Sequence, residues 1–216
     1  MSYATEEEQI EAIKQWWREN GKSVFIGIVI GLAALLGWQQ WQSYHSHRAE
    51  AASTDYMEFL SMVQGGKTGQ GMVSRGESIV KQYAGTPYAA LTSLTLARQS
   101  VESGKLDEAV RRLEWVIKNA DSAPLVDIAR VRLARVRIAQ KDYAQALKLT
   151  EQSPGSAFAS EYAEIRGDAY AGQNKRAEAI KAYQKALAQS DVSGQRRSLI
   201  ELKLHDLGAK PAEPTS

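Results

Sequence analysis

The stretch from Val24 to Trp38 reads Val-Phe-Ile-Gly-Ile-Val-Ile-Gly-Leu-Ala-Ala-Leu-Leu-Gly-Trp, fifteen residues without a charge. As a helix it rises about 22 Å, short of a hydrocarbon core of about 30 Å. Extending it from Ser23 to Trp41 gives nineteen residues, or about 28 Å of helix, with Gln39 and Gln40 at the interface. Trp38, Trp41 and Tyr44 then form an aromatic belt at one end, with Trp16 and Trp17 near the other. The core helix of a soluble protein would interrupt such a run with polar residues. A cleaved signal peptide would need small residues directly after it, but Trp-Gln-Gln-Trp-Gln follows, and the first Ala-x-Ala is Ala49 to Ala51. The pattern predicts a transmembrane helix over 23–41, preceded by a tail over 1–22.

Basic residues orient the span. Lys14, Arg18 and Lys22 crowd its N-terminal flank, whereas Arg48 is the nearest on the other side. The positive-inside rule then places the N-terminus in the cytoplasm and the C-terminal bulk outside it. Glu6, Glu7, Glu8, Glu11 and Glu19 make the tail acidic, but carboxylates contribute little to that rule. Ser23, Gly27 and Gly31 recur at intervals of four, a spacing that lets a second transmembrane helix approach closely. The tail itself patterns as an amphipathic helix, with Ile10, Ile13 and Trp17 on one face and Asn20-Gly21 as its stop.

From Arg48 onward the chain reads as consecutive helices. Thr86-Pro87, Ser122-Ala-Pro124 and Ser153-Pro-Gly-Ser156 mark helix starts, and Gly104-Lys105, Lys141-Asp142 and Gly172-Gln-Asn174 separate paired helices. Leu94-Thr-Leu-Ala-Arg98 recurs thirty-seven residues later as Val131-Arg-Leu-Ala-Arg135. A small residue of each first helix is followed twelve positions on by an alanine of the second: Ala97 with Ala109, Ala134 with Ala146, Gly167 with Ala179. The last two units are thirty-three apart, close to the tetratricopeptide period of about 34 residues. Leu113, Val116, Tyr183 and Ala186 are expected to fill the stack between units. The third unit is the most typical, with Gly167, Tyr170, Ala179, Tyr183 and Ala186 in motif positions. Residues 42–86 read as juxtamembrane helices that can supply a degenerate repeat, 87–208 as the repeat domain, and 209–216 as a disordered tail. A capping helix over 192–207 is expected to use Leu199, Leu202 and Leu207. The fold class is therefore all-α: a transmembrane helix, then a tetratricopeptide-like solenoid with a C-terminal capping helix.

Chemistry is sparse. The chain has no cysteine, which excludes disulfides, thiolate metal sites and a cysteine nucleophile. Gly65-Gly-Lys-Thr68 imitates a phosphate-binding loop, but Ser61 stands where that loop needs glycine, and no strand precedes it. His45 and His47 lack a third ligand. Arg130, Arg132, Arg135 and Arg137 fall on more than one helix face, and a net charge of +2 does not demand nucleic acid. No catalytic constellation, cofactor or metal is expected, so the chain reads as a binding protein rather than an enzyme. Concave positions on the first helices place Leu91, Leu94, Arg98 and Val101 in one unit, and Ile128, Val131, Arg135 and Ile138 in the next. The third unit offers Glu161, Glu164 and Asp168 there. An apolar floor with two arginines suits an extended, partly hydrophobic peptide or a partner's helix; alternatively the helix over 48–62 folds back and fills this face.

Together these features resemble the YfgM-type ancillary subunits of the bacterial Sec translocon. The block Gln9-Ile-Glu-Ala-Ile-Lys-Gln-Trp-Trp-Arg-Glu-Asn-Gly-Lys22 carries the most specific part of the likeness, followed by Gly27, Gly31, Gly37-Trp38 and Trp41. Leu96-Ala-Arg98, Leu133-Ala-Arg-Val136 and Arg166-Gly-Asp168 extend it across the repeats. The resemblance implies a bacterial inner-membrane protein with its repeats in the periplasm, associated with SecYEG and with a PpiD-type periplasmic chaperone. The implied role is to help newly translocated, unfolded client polypeptides pass from channel to chaperones. Two other readings compete: an envelope assembly or division scaffold, and a regulator acting through the cytoplasmic tail.

Overall fold

The computed structural model describes residues 6–66, 69–151, 156–189, 192 and 194–209. Every element among them is helical. The chain divides into two compact units, Met1–Glu50 and Ala51–Ser216.

The first unit is formed by the greater part of α1, which runs from Glu6 to Gln64. The expected stop at Asn20-Gly21 is absent. An interior glycine costs a helix only about 1 kcal/mol, and Asn20 donates from its side chain to the Trp16 carbonyl at 3.1 Å, a bond compatible with helical backbone. α1 is the one helix among the described residues long and apolar enough to cross a membrane, and its apolar window is unburied. Phe25, Ile28, Ile30, Leu32, Leu35 and Leu36 all project outward, as lipid-facing side chains would. No neighbouring atom lies within 4 Å of a Cβ placed on Gly27 or Gly31, so this edge of the helix is open.

The second unit is a stack of helical pairs. The end of α1 from Ala51 packs with α2 (Gln70–Gln82); α3 (Pro87–Glu102) pairs with α4 (Leu106–Asn119); α5 (Ala123–Ala139) pairs with α6 (Tyr143–Leu149). A 3-10 turn over Ser156–Phe158 leads into α7 (Ala159–Gly172), which pairs with α8 (Arg176–Leu187), and α9 (Gly194–Asp206) closes the series. The core is four linked clusters rather than one centre. Phe59, Ile79 and Leu96 meet in the first; Leu94, Leu113, Val116 and Leu133 in the second; Val131, Tyr162 and Ile165 in the third; Ala163, Tyr183, Ile200 and Leu204 in the fourth. The helices α3, α5 and α7 each contribute to two successive clusters. Each unit therefore depends only on its neighbours, as in a solenoid.

The three central hairpins close in the same way. Gly104, Lys141 and Asn174 each adopt left-handed backbone, at φ 71°, 62° and 60°. The next amide donates back across the turn: Lys105 to Ser100 at 2.8 Å, Asp142 to Arg137 at 2.8 Å, Lys175 to Tyr170 at 2.9 Å. This is the six-to-one bond of a Schellman ending. Asn174, not Gly172, is thus the turning residue of the third hairpin. Gly172 is still helical, and a Cβ there would lie 2.9 Å from the Tyr143 hydroxyl and nearer to its ring, so it is small to admit Tyr143.

The pair formed by the end of α1 and α2 lacks the motif because its size pattern is inverted. Phe59 supplies bulk on the first helix, and Gly76 leaves room on the second. A Cβ on Gly76 would meet Leu96 and Phe59 at about 3.0 Å. Asp55 ties the pair further, accepting from Arg75 at 3.0 Å and from the Tyr83 hydroxyl at 2.9 Å.

The capping helix differs from expectation in the face it buries. Ile200 and Leu204 are fully enclosed, whereas Leu199 and Leu202 are 47% and 57% exposed. Ile200, Leu204 and Leu207 follow the i, i+4, i+7 spacing of one stripe, and Leu207 alone was shared with the expected face. Lys67 and Thr68 of the glycine-rich segment, residues 152–155 and the tail from 210 lie outside the described residues. What precedes Gly65-Gly66 is a helix, not a strand.

Candidate partner surface

The first helices α3 and α5 carry the expected partner face, and burial sorts its residues into two groups. Leu94 and Val131 are only 4% and 3% exposed, each locked into a hydrophobic cluster. They are core residues and leave the set of available contacts. The reason is geometric: a first helix in the stack is covered on two sides, so its apolar stripe extends beyond the concave face. Leu91, Ile128 and Ile138 are half-buried, while Arg98, Val101 and Arg135 are exposed.

Val101 and the two arginines border an apolar recess of about 350 Å³. Leu106, Leu113 and Val136 form its floor, and Ala97 and Ala139 its sides. Arg132 is a third guanidinium at this site. In the sequence it belongs to a scattered basic stretch, one residue off the expected concave register. Arg132 is exposed like the other two, yet desolvation first, then the charges of Arg98 and Arg135, push its pKa below the ordinary arginine value. Its Nη1 donates to the Leu94 carbonyl at 3.4 Å.

The acidic positions of α7 are occupied from within the chain. Lys203 of α9 donates to Glu164 Oε1 at 2.7 Å and to Asp168 Oδ1 at 2.7 Å. Arg196 of α9 is hydrogen-bonded to Glu161. Tyr183 also donates to Asp168 Oδ1, at 2.7 Å. Arg135 stands farther off, 3.8 Å from Glu161 and 3.9 Å from Glu164. The carboxylates of the third unit are therefore paired with cations of α9, and the open part of the face is the α3–α5 recess. The end of α1 contributes Phe59 and Ala52 to the cluster around Leu96, not to the recess, whose lining comes from α3, α4 and α5.

Comparison with known proteins agrees with the repeats. The tetratricopeptide repeat-like domain family matches residues 14–209. The chain is 31% identical over 205 residues to an Escherichia coli protein named ancillary SecYEG translocon subunit, covering 95% of this chain and 98% of the relative. A Haemophilus influenzae protein of the same name is 26% identical, with 96% of this chain and all of the relative aligned. A Neisseria gonorrhoeae protein of that name is 27% identical, with 95% and 99% covered. Full-length alignment to these relatives, with a repeat-like domain over most of the chain, shows that it belongs to the YfgM-type family of tetratricopeptide repeat-like proteins.

Proposed function

We propose that the chain is a non-enzymatic, membrane-tethered adaptor at the SecYEG translocon. Residues 23–41 span the bacterial inner membrane, the N-terminus lies in the cytoplasm, and the repeat unit lies in the periplasm. The observation that carries this reading is the joining, in one chain, of a single lipid-compatible helix to a helical repeat with an open apolar recess. Tethering confines the recess to the membrane surface and raises its effective concentration near a membrane-bound partner. The names of the relatives supply the translocon as that partner. A PpiD-type periplasmic chaperone and unfolded client polypeptides are the remaining partners of the proposal. Ser23, Gly27 and Gly31 form the packing edge toward another transmembrane helix.

Photo-crosslinking in intact membranes tests the proposal, with the probe at Gly31, Val101 or Ala139. Adducts from Gly31 to a channel subunit or chaperone anchor, together with adducts from the recess to a chaperone or emerging chain, support it. Recess adducts confined to a cell-wall or outer-membrane assembly factor would replace the adaptor by a scaffold. Orientation has its own test, because the chain has no native cysteine. A cysteine at Ser103 should react with a membrane-impermeant thiol reagent from the periplasmic side, and one at Gln9 should not.

A further inference from the structure

The recess between α3 and α5 combines two features that call for different halves of one ligand. Its floor, from Leu106, Leu113 and Val136, is apolar, while Arg98, Arg132 and Arg135 bring three guanidinium groups to its border. The charges are unequally balanced. Arg98 Nε lies 2.7 Å from Glu102 Oε1 within its own helix. Arg135 reaches Glu161 and Glu164 only at 3.8 and 3.9 Å, and both carboxylates have closer partners in α9. Arg132 has no carboxylate partner among the described residues, and its hydrogen bond goes to a backbone carbonyl. Burial first, and then the charges of Arg98 and Arg135, hold its pKa below the ordinary arginine value. An incoming carboxylate would offset those charges, and guanidinium–carboxylate bonds are among the stronger polar contacts available.

The size of the recess restricts the occupant. About 350 Å³ is near the lower end for ligand sites, enough for a side chain or two and too little for a helix. A small hydrophilic anion would waste the apolar floor, and a purely apolar chain would leave the arginines unanswered. We propose that this recess docks an acidic-apolar segment of a partner polypeptide, seating an apolar side chain on the floor while an adjacent carboxylate pairs with Arg132 and Arg135. The inference rests on reading the α3–α5 face as the partner surface, and it narrows the partner to one whose docking segment alternates acidic and apolar residues.

The test uses the full chain in phosphatidylcholine nanodiscs and a fluorescein-labelled peptide, Gly-Ser-Glu-Leu-Glu-Leu-Glu-Ser. Matched peptides carry glutamine or lysine in place of each glutamate. Fluorescence polarisation is expected to show the acidic peptide binding about tenfold more tightly than the glutamine peptide, as a charged hydrogen bond warrants. The lysine peptide should not bind. Arg132→Gln should bring the acidic and glutamine peptides to within about twofold, and Val101→Glu should abolish both. Equal binding of acidic and glutamine peptides, or an acid preference that survives Arg132→Gln and Arg135→Gln, would overturn the proposal. Helicity by circular dichroism accompanies each variant; if Arg132→Gln loses helicity, the exposed-site variants Arg135→Gln and Val101→Glu decide. Failure here with the Gly31 and recess crosslinks intact would leave the adaptor reading standing, whereas acid-selective binding without those crosslinks would do the reverse.

Discussion

Tyr183 donates a 2.7 Å hydrogen bond to Asp168 while its ring covers Gly167, the residue just before. A Cβ on Gly167 would lie 2.8 Å from Cζ of that ring and nearer still to Cδ1 and Cε1. The glycine of the third unit is thus matched to the tyrosine sixteen residues on. In the earlier units alanine occupies the same place, at 97 and 134, and the residue sixteen positions later is smaller: Leu113 and Thr150.

Gly167→Ala is expected to destabilise the repeat unit by about 1–3 kcal/mol, the cost of overpacking a filled site, despite the better helix propensity of alanine. Adding Tyr183→Leu should recover part of the loss, because it removes the clashing ring. Chemical denaturation of the two single variants and the double variant measures the coupling. Additive effects would mean that Gly167 is not small on account of Tyr183.

Lys203→Met should destabilise the fold by on the order of 2–4 kcal/mol, since it strips the nearest cation from Glu164, a buried carboxylate, and from Asp168. Glu164→Gln in the same chain should restore a substantial part, because an amide costs less to leave there than a charge. Denaturation midpoints of the single and double variants check this, and a double variant no more stable than Lys203→Met would refute it.

The two faces of α9 should respond differently. Ile200→Ala and Leu204→Ala are each expected to cost about 2–4 kcal/mol, as enclosed aliphatic truncations do. Leu199→Ser and Leu202→Ser should stay within about 0.5 kcal/mol. Thermal or chemical unfolding distinguishes them, and a large loss from Leu199→Ser would restore the face expected from sequence.

Tyr162 imposes an alkaline limit. Its hydroxyl donates to Asp127 Oδ1 at 3.1 Å, and burial, then the Asp127 charge, push its pKa from 10.0 up to about 12. Ionisation is therefore easier in the unfolded chain than in the folded one. The resulting stabilisation is complete below about pH 10 and lost as pH rises through about 12. Tyr162→Phe should lower stability at neutral pH by about 1 kcal/mol and flatten its fall between about pH 10 and 12. An unchanged alkaline slope in that variant would exclude Tyr162 as the cause.

Much of the architecture was readable from local pattern. The unbroken apolar run needs lipid or an equally dry environment because its backbone bonds are satisfied internally and its side chains are not polar. The repeats declared themselves through small residues at a fixed interval and through Gly104, Lys141 and the Gly172–Asn174 turn, because close helix approach and left-handed closure each demand particular residues at particular places. The pair preceding Thr86 was opaque to the same test, since Phe59 and Gly76 exchange the usual places of large and small.

What the amino-acid order determined by itself was the kind of element and its repetition: one lipid-compatible helix, then paired helices with α/α turns. Only the tertiary structure decided which faces remained open. Leu94 and Val131 carry the same periodic signature as Val101, yet the stack buries the first two and exposes the third. Likewise Glu161, Glu164 and Asp168 resemble a free acidic surface until Arg196 and Lys203 arrive from α9, and Arg132 resembles one member of a scattered basic stretch until Arg98 of α3 joins it at the recess. The physical reason is that periodicity records how one helix is patterned along its own axis, whereas exposure and charge balance depend on residues that other helices bring alongside.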